Sequence, residues 1–205
     1  MTVRLFIDKI LCKLRYFRVS FQRMTGYYNV LIFKMYGIKI GKKCEFRGKC
    51  LVSKAPGSLI TIGEGFKCFS VYNEPSLLKC RTSIQTNESS ANLIVGNNVG
   101  MGGVKISCFS RIVIGNDVKI GGNTTIMDGD YHPEDYRSGV PKEIVIEDNV
   151  WIGYSCIILK GVHIGKNAVI GAGSVVTKDI PQNVIAAGIP CKVIKKIENE
   201  NSNIF

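Results

Sequence analysis

From Ile146 onward an aliphatic residue returns at every sixth position: Ile146, Ile152, Ile158, Ile164, Ile170 and Val176. A strand alternates every two residues and a helix turns every 3.6, so neither alone produces this interval. It reports a larger unit that turns a corner every six residues. Three such sides make an 18-residue coil, the distance from Glu147 to Gly165. A second series follows each aliphatic by four positions, at Val150, Cys156, Val162, Ala168 and Ser174, and is small or β-branched throughout. Glycine comes directly after the aliphatic position at Gly153, Gly165 and Gly171. The same phase appears earlier in Ile114, Ile120 and Ile126, with Val118 and Thr124 in the second series and Gly115 and Gly121 after the aliphatics. It is looser from Leu93 to Gly102 and around Ile38 to Gly41 and Ile60 to Gly63. Stacking such coils buries what no single coil can bury, with the aliphatics inside a prism. Glycine and small residues are expected to permit the tight corners. The fold class is all-β, a parallel β-helix.

This pattern of hexapeptides resembles the left-handed β-helix acyltransferases, which depart from the usual right-handed crossover of parallel strands. The organisation expected is a basic amphipathic helical segment over 1–36, a left-handed β-helix acyltransferase domain over 37–197 with a loop at 127–143, and a flexible tail over 198–205 with a small C-terminal extension before it. A chain of 205 residues suits one such domain with an appendage. A net charge of +11 would point to nucleic acid were it spread over the fold. Residues 1–50 instead hold 12 Lys and Arg against Asp8 and Glu45, while the remaining 155 residues carry 15 basic and 14 acidic side chains. No nucleic-acid module accompanies the basic segment.

Within residues 3–23, Ile7, Ile10, Leu11, Leu14, Phe17 and Phe21 fall at helical spacing with Arg4, Lys9, Lys13 and Arg23 largely elsewhere around the wheel. A second apolar stretch, Tyr27 to Tyr36, leads into the first coil. The helical segment either caps the open end of the β-helix, the reading favoured, or lies on an anionic membrane surface, and the two roles can coexist. No apolar run approaches the roughly 18 residues that span a bilayer, and no signal peptide is evident. Eight cysteines lack metal-site spacing and read as reduced thiols. The expected location is cytoplasmic, with peripheral contact at the inner face of the membrane through residues 1–36.

Function has to come from interruptions of the scaffold. Between Ile126 and Ile146 the repeat takes 20 residues where 18 are expected, and the intervening sequence is polar and punctuated by Gly and Pro. This loop carries His132, with Asp128 and Asp130 just before it. Acyl transfer from a thioester needs a base that removes the acceptor's proton during attack, and imidazole has a suitable pKa. Either Asp130 or Asp128 could hold the ring. The other histidine, His163, occupies the variable position of a regular repeat and is expected to face solvent from a strand.

The stretch Val150 to Ile197, beginning VWIGYSCIILKGVHIG and ending AAGIPCKVIKKI, resembles the C-terminal part of maltose and galactoside O-acetyltransferases and of capsule and lipopolysaccharide O-acetyltransferases. The resemblance implies acetyl-CoA as cosubstrate and no metal. It places Trp151 beside the pantetheine arm and thioester, with Gly153, Tyr154 and Ala172 lining the cofactor groove. Thr177, Lys178, Lys192 and Lys195 would meet the adenosine phosphates, where cations suit the charge. Two positions depart from the pattern: Tyr154 stands where a small polar residue is usual, and Lys192 and Lys195 stand where relatives often have arginine, losing the bidentate fork. The resemblance further implies direct transfer to a sugar or polysaccharide hydroxyl, with backbone N–H groups stabilising the oxyanion, and a homotrimer whose active sites lie between neighbouring prisms.

Three other functions compete with this reading. A zinc hydratase on the same prism needs three histidines per metal, and the chain has two. N-acetylation of an amino-sugar nucleotide uses the same chemistry on an amine. A non-catalytic scaffold in a polysaccharide assembly complex would use the repeat alone. Phe66 to Ser90 is expected to shape the acceptor site.

Overall fold

The computed structural model describes residues 26–71, 78–132 and 134–197. The helix expected at 3–23 and the tail at 198–205 lie outside them, as do 72–77 within the stretch expected to shape the acceptor site.

The described strands wind into a three-sided prism, a left-handed parallel β-helix. Face one runs from Lys39–Ile40 to His163–Ile164 in six strands. Face three runs from Leu51–Lys54 to Val175–Val176, also in six. Face two starts at Glu45–Arg47, passes through Trp151–Ile152 and Val169–Ile170, and ends with Val184–Ala187 followed by the antiparallel Lys192–Lys196.

Register explains the sixfold period. Ile146 pairs with Ile164, Ile152 with Ile170 and Ile158 with Val176, each 18 residues apart. All six members of that series are buried, and so are Val150, Cys156, Val162, Ala168 and Ser174. The core is thus three aliphatic columns with smaller side chains between them, and a truncation in one column leaves a cavity that the stacked neighbours cannot close.

Two expectations are corrected. Ile112 pairs with Ile144, an interval of 32 rather than 18, so the excursion adds 14 residues to one coil. Ile126 and Ile146 are consecutive corners, and the interval to compare with 20 is six. The glycines after the aliphatics are not there for backbone freedom. Left-handed conformations at the corners fall later in each turn, at Gly65, Gly103, Gly161 and Gly173 and at Asn98, Asp117, Asn123, Asn149, Ser155, Asn167 and Asn183, with Gly, Asn and Asp the types that best tolerate that region. Asn149 donates to Asn167 at 2.9 Å, and Asn167 to Asn183 at 2.8 Å, as a ladder up one edge. Gly153 answers to close approach: a Cβ there would lie 2.5 Å from the backbone N of Ala172 in the next coil.

Residues 26–35 form a helix that ends in a Schellman arrangement. Gly37, at φ 67°, donates to the Lys34 carbonyl at 2.9 Å, and Ile38 donates to the Phe33 carbonyl at 2.9 Å. Its inner side closes the first coil. Phe33 is fully buried with its ring 5.2 Å from that of Phe46, edge to face. The Asn29 amide donates to Gly48 O at 2.8 Å and accepts from Cys50 N at 3.0 Å.

Candidate active site

The excursion leaves the prism at the edge between faces three and one, after Thr125–Met127 and before Ile144–Ile146. Its base is held by Asp128, whose side chain is 0% exposed. The carboxylate accepts from the backbone N–H groups of Phe109 at 2.6 Å, Ser110 at 2.9 Å and Arg111 at 2.7 Å. The Asp128 carbonyl accepts from Lys142 N at 2.8 Å, which closes the loop on itself. Burial, and then the Asp128 charge nearby, push the Cys108 thiol up to about 12.

Asp130 pairs with Lys160 at 2.6 Å, and the same ammonium donates to the Ser138 carbonyl. Lys160 therefore ties the outgoing and returning limbs of the loop to the strand Ile157–Ile158 behind them. Nothing in the spacing marked it. Arg137 clamps Asp135 through two nitrogens and holds that carboxyl below the usual range.

His132 stands at the outer turn of this loop with its side chain 78% exposed. Its carbonyl accepts from Asp135 N and from Ser138 Oγ at 2.5 Å, fixing the backbone beneath the ring. Among the described residues the polar group nearest the ring is Glu134, at 3.4 Å from Nδ1. The two aspartates named with His132 are thus not brought to its imidazole: Asp128 is committed to backbone amides and Asp130 to Lys160. Beside the loop Tyr131 packs edge to face on Phe109 and shares a 2.5 Å hydrogen bond with Ser107 Oγ. Gln85 donates to the same tyrosine oxygen and, at 3.0 Å, to Ser107. These groups rim a cavity of about 240 Å3 on face three. Alternation along the strands places Gln85 and Ser107 on one face, but no motif flagged them.

Trp151 lies on face two, 47% exposed, in a groove of about 390 Å3 lined with Lys119, Asn149, Asn167 and Val169. Register sets it in a row across the outer surface: Trp151 beside Val169, Val169 beside Ile185, Ile185 beside Lys195. Three strand spacings separate the ends, roughly 14 Å. Gly153, Tyr154 and Ala172 converge at the edge between faces two and three, where Gly173 N donates to the Tyr154 carbonyl at 2.8 Å and Asn123 donates to the Tyr154 hydroxyl. Lys192 is exposed on the antiparallel strand with Lys195. Thr177 and Lys178 are exposed after Val176, on the same edge as the His132 loop and two coils further along. That edge is the vertex opposite face two. Within one chain, His132 and Trp151 do not share a cavity.

His163 is half-exposed on face one and meets Glu147 at 2.8 Å. The Lys166 N–H, and then His163, hold the Glu147 carboxyl below its usual range. Among the described residues no three His, Cys, Asp or Glu side chains converge as a metal site.

A family model described as the hexapeptide repeat of succinyl-transferase matches residues 143–178. Galactoside O-acetyltransferase of Lactococcus lactis is 52% identical over 99 residues, which cover 46% of this chain and 47% of that protein. The chain spans about half the length of the curated relatives it matches. Among solved structures, a hexapeptide-repeat acetyltransferase from Vibrio cholerae aligns with a TM-score of 0.54 and 24% identity over 94% of this chain and 93% of its own. An N-acyltransferase from Bacillus cereus, in complex with dTDP-4-amino-4,6-dideoxyglucose and coenzyme A, aligns with a TM-score of 0.60 and 16% identity over 82% of this chain and 88% of its own. Both likenesses concern the fold. The coil register and the matched repeat identify a left-handed β-helix of hexapeptide repeats, a fold that this chain shares with these acyltransferases.

Proposed function

We propose that this protein transfers an acetyl group from acetyl-CoA to a hydroxyl of a sugar or polysaccharide precursor, with His132 as general base. The observation that carries the reading is an excursion from the repeating scaffold, anchored by Asp128 and Lys160, whose outermost turn presents an exposed imidazole. The row from Trp151 to Lys195 supports the donor site. An extended pantetheine arm fits along face two with the thioester near Trp151, Gly153, Tyr154 and Ala172 near the arm, and Lys192 and Lys195 toward the phosphates. Thr177 and Lys178 reach the same cofactor from the neighbouring prism's edge.

Because the His132 loop lies on the vertex opposite face two, the groove of one prism is completed by the loop of the next. A homotrimer closed by rotation satisfies this for all three sites. His132 takes the acceptor proton as the hydroxyl oxygen attacks the acetyl carbonyl. The tetrahedral intermediate then collapses, expelling the coenzyme A thiolate, which recovers a proton from the imidazolium. Direct transfer needs no acyl-enzyme, so the cysteines take no part. Gln85, Ser107 and Tyr131 offer a neutral, hydroxyl-matching rim for the acceptor. A deprotonated amine on a sugar would enter the same pathway.

The test is mass spectrometry of acetyl-CoA reactions with a panel of mono- and oligosaccharides and amino-sugar nucleotides. His132→Ala is expected to lower turnover by about 10²- to 10⁴-fold with its melting temperature unchanged. Undiminished transfer by that variant would overturn the base assignment, and no transfer by the parent to any member of the panel would favour a scaffold.

A further inference from the structure

The helix at 26–35 has a buried inner side, already described, and an outer side made of a different material. Tyr27, Leu31 and Met35 are 83%, 58% and 73% exposed, and Tyr28 and Tyr36 are about half-exposed. At 100° per residue, Tyr27, Tyr28, Leu31 and Met35 fall within roughly one third of the helix circumference. A contiguous apolar face of this kind on a protein surface marks a place where something binds. Its aromatics are tyrosines, which combine a greasy ring with a hydroxyl and favour the boundary between water and lipid.

The charge around the face is one-sided. Lys34, Lys39, Lys42, Lys43 and Lys49 are all exposed at this end of the prism. Lys49 sits over the Tyr28 ring, 5.8 Å from its centroid. The one acid of residues 26–50, Glu45, is occupied by Arg47 at 2.8 Å. Beyond residue 50 the chain is close to neutral, with 15 basic and 14 acidic side chains. At this end of the prism apolar surface and positive charge therefore coincide, with no unpaired acid among residues 26–50 to oppose them. A surface that is apolar just below a layer of negative charge is complementary to both.

We infer that this end of the prism docks on an anionic lipid bilayer, the outer helix face entering the headgroup boundary and the five lysines meeting lipid phosphates. The helix thus caps the first coil with one side and binds membrane with the other. Each lysine held near such a surface multiplies affinity roughly five-fold, and the apolar contact makes binding persist when salt screens the charges. This inference does not rest on the acetyl-transfer reading, and either can fail without the other.

Flotation of the full chain with vesicles tests it. Binding is expected to phosphatidylcholine vesicles containing about one third phosphatidylglycerol and not to phosphatidylcholine alone. Leu31→Glu with Met35→Glu is expected to lower binding at least ten-fold at moderate salt while the melting temperature and the elution volume on gel filtration stay at parental values. Lys39→Gln, Lys42→Gln and Lys43→Gln together are expected to weaken binding and flatten its salt dependence. Equal binding to neutral vesicles, or none to either, overturns the inference. So does parental binding by the Leu31 and Met35 double variant, which would assign the attraction to charge alone. A fall in its melting temperature or a change in its oligomeric state also overturns it, because the face would then be covered by residues 1–25 or by another copy.

Discussion

Between Val145 and Val176 the strands pair with one another at a constant 18 positions, whereas partners of the adjoining excursion sit 17, 22 and 30 positions away in no series. The first region is held by repetition. The second is held by single contacts, each made once: Asp128 on three amides, Lys160 across two limbs. Losing one contact should therefore act differently in the two regions, lowering global stability in the coils and misplacing His132 in the loop.

Asp128→Ala should break the contrast most sharply, because the clamp belongs to both regions. Three backbone donors lose their acceptor, and destabilisation of about 3 kcal/mol by chemical denaturation should accompany a large loss of turnover. If stability falls and turnover at saturating substrate does not, the clamp is part of the scaffold alone. Ile152→Ala, in the middle of an aliphatic column, should cost about 2–5 kcal/mol yet keep parental turnover below its melting temperature.

Lys160→Met should do the reverse. A partly exposed ion pair contributes at most about 1 kcal/mol, so the melting temperature should barely move while turnover drops about ten-fold. Lys160→Arg, keeping the charge, should recover part of it. A Lys160→Met enzyme with full turnover would show that the loop is held well enough without this tie.

The smallest effect concerns Cys108. Its folded-state pKa of about 12 exceeds the ordinary 9.0, so below pH 9 the thiol is neutral in both states and stability is undiminished. From about 9 toward 12 only the unfolded chain ionises, and stability falls. Cys108→Ala should show a shallower alkaline decline in melting temperature than its parent, and the native thiol should resist alkylation near neutrality.

The repeat was legible because a stack of coils writes its spacing directly into the order of residues: Ile152 and Ile170 are alike because they touch. The role of Gly153 is not legible, since its neighbour Ala172 belongs to the next coil and backbone proximity leaves no mark beyond the glycine itself. The excursion's extra length is hidden in the spacing, because nothing in the residues shows that Ile126 and Ile146 stand one side apart rather than a full coil. His132 stood out from its surroundings, but its nearest polar group, Glu134, was not the one expected. The partners of Asp128 and Asp130 are Phe109, Ser110, Arg111 and Lys160, whose approach only the fold reveals.

Near-identical coils carry a hazard during folding. A chain whose Ile146, Ile164 and Val150, Ala168 positions are nearly interchangeable can thread itself one coil out of alignment with little loss of apolar burial. The insertion after Met127 adds 14 residues to its coil, and within it Asp128 finds convergent amides at Phe109, Ser110 and Arg111. Any slipped arrangement buries that carboxylate without them. The anchored loop thereby acts as a landmark against which the other coils are counted, so the device that presents His132 also tells the chain which turn is which.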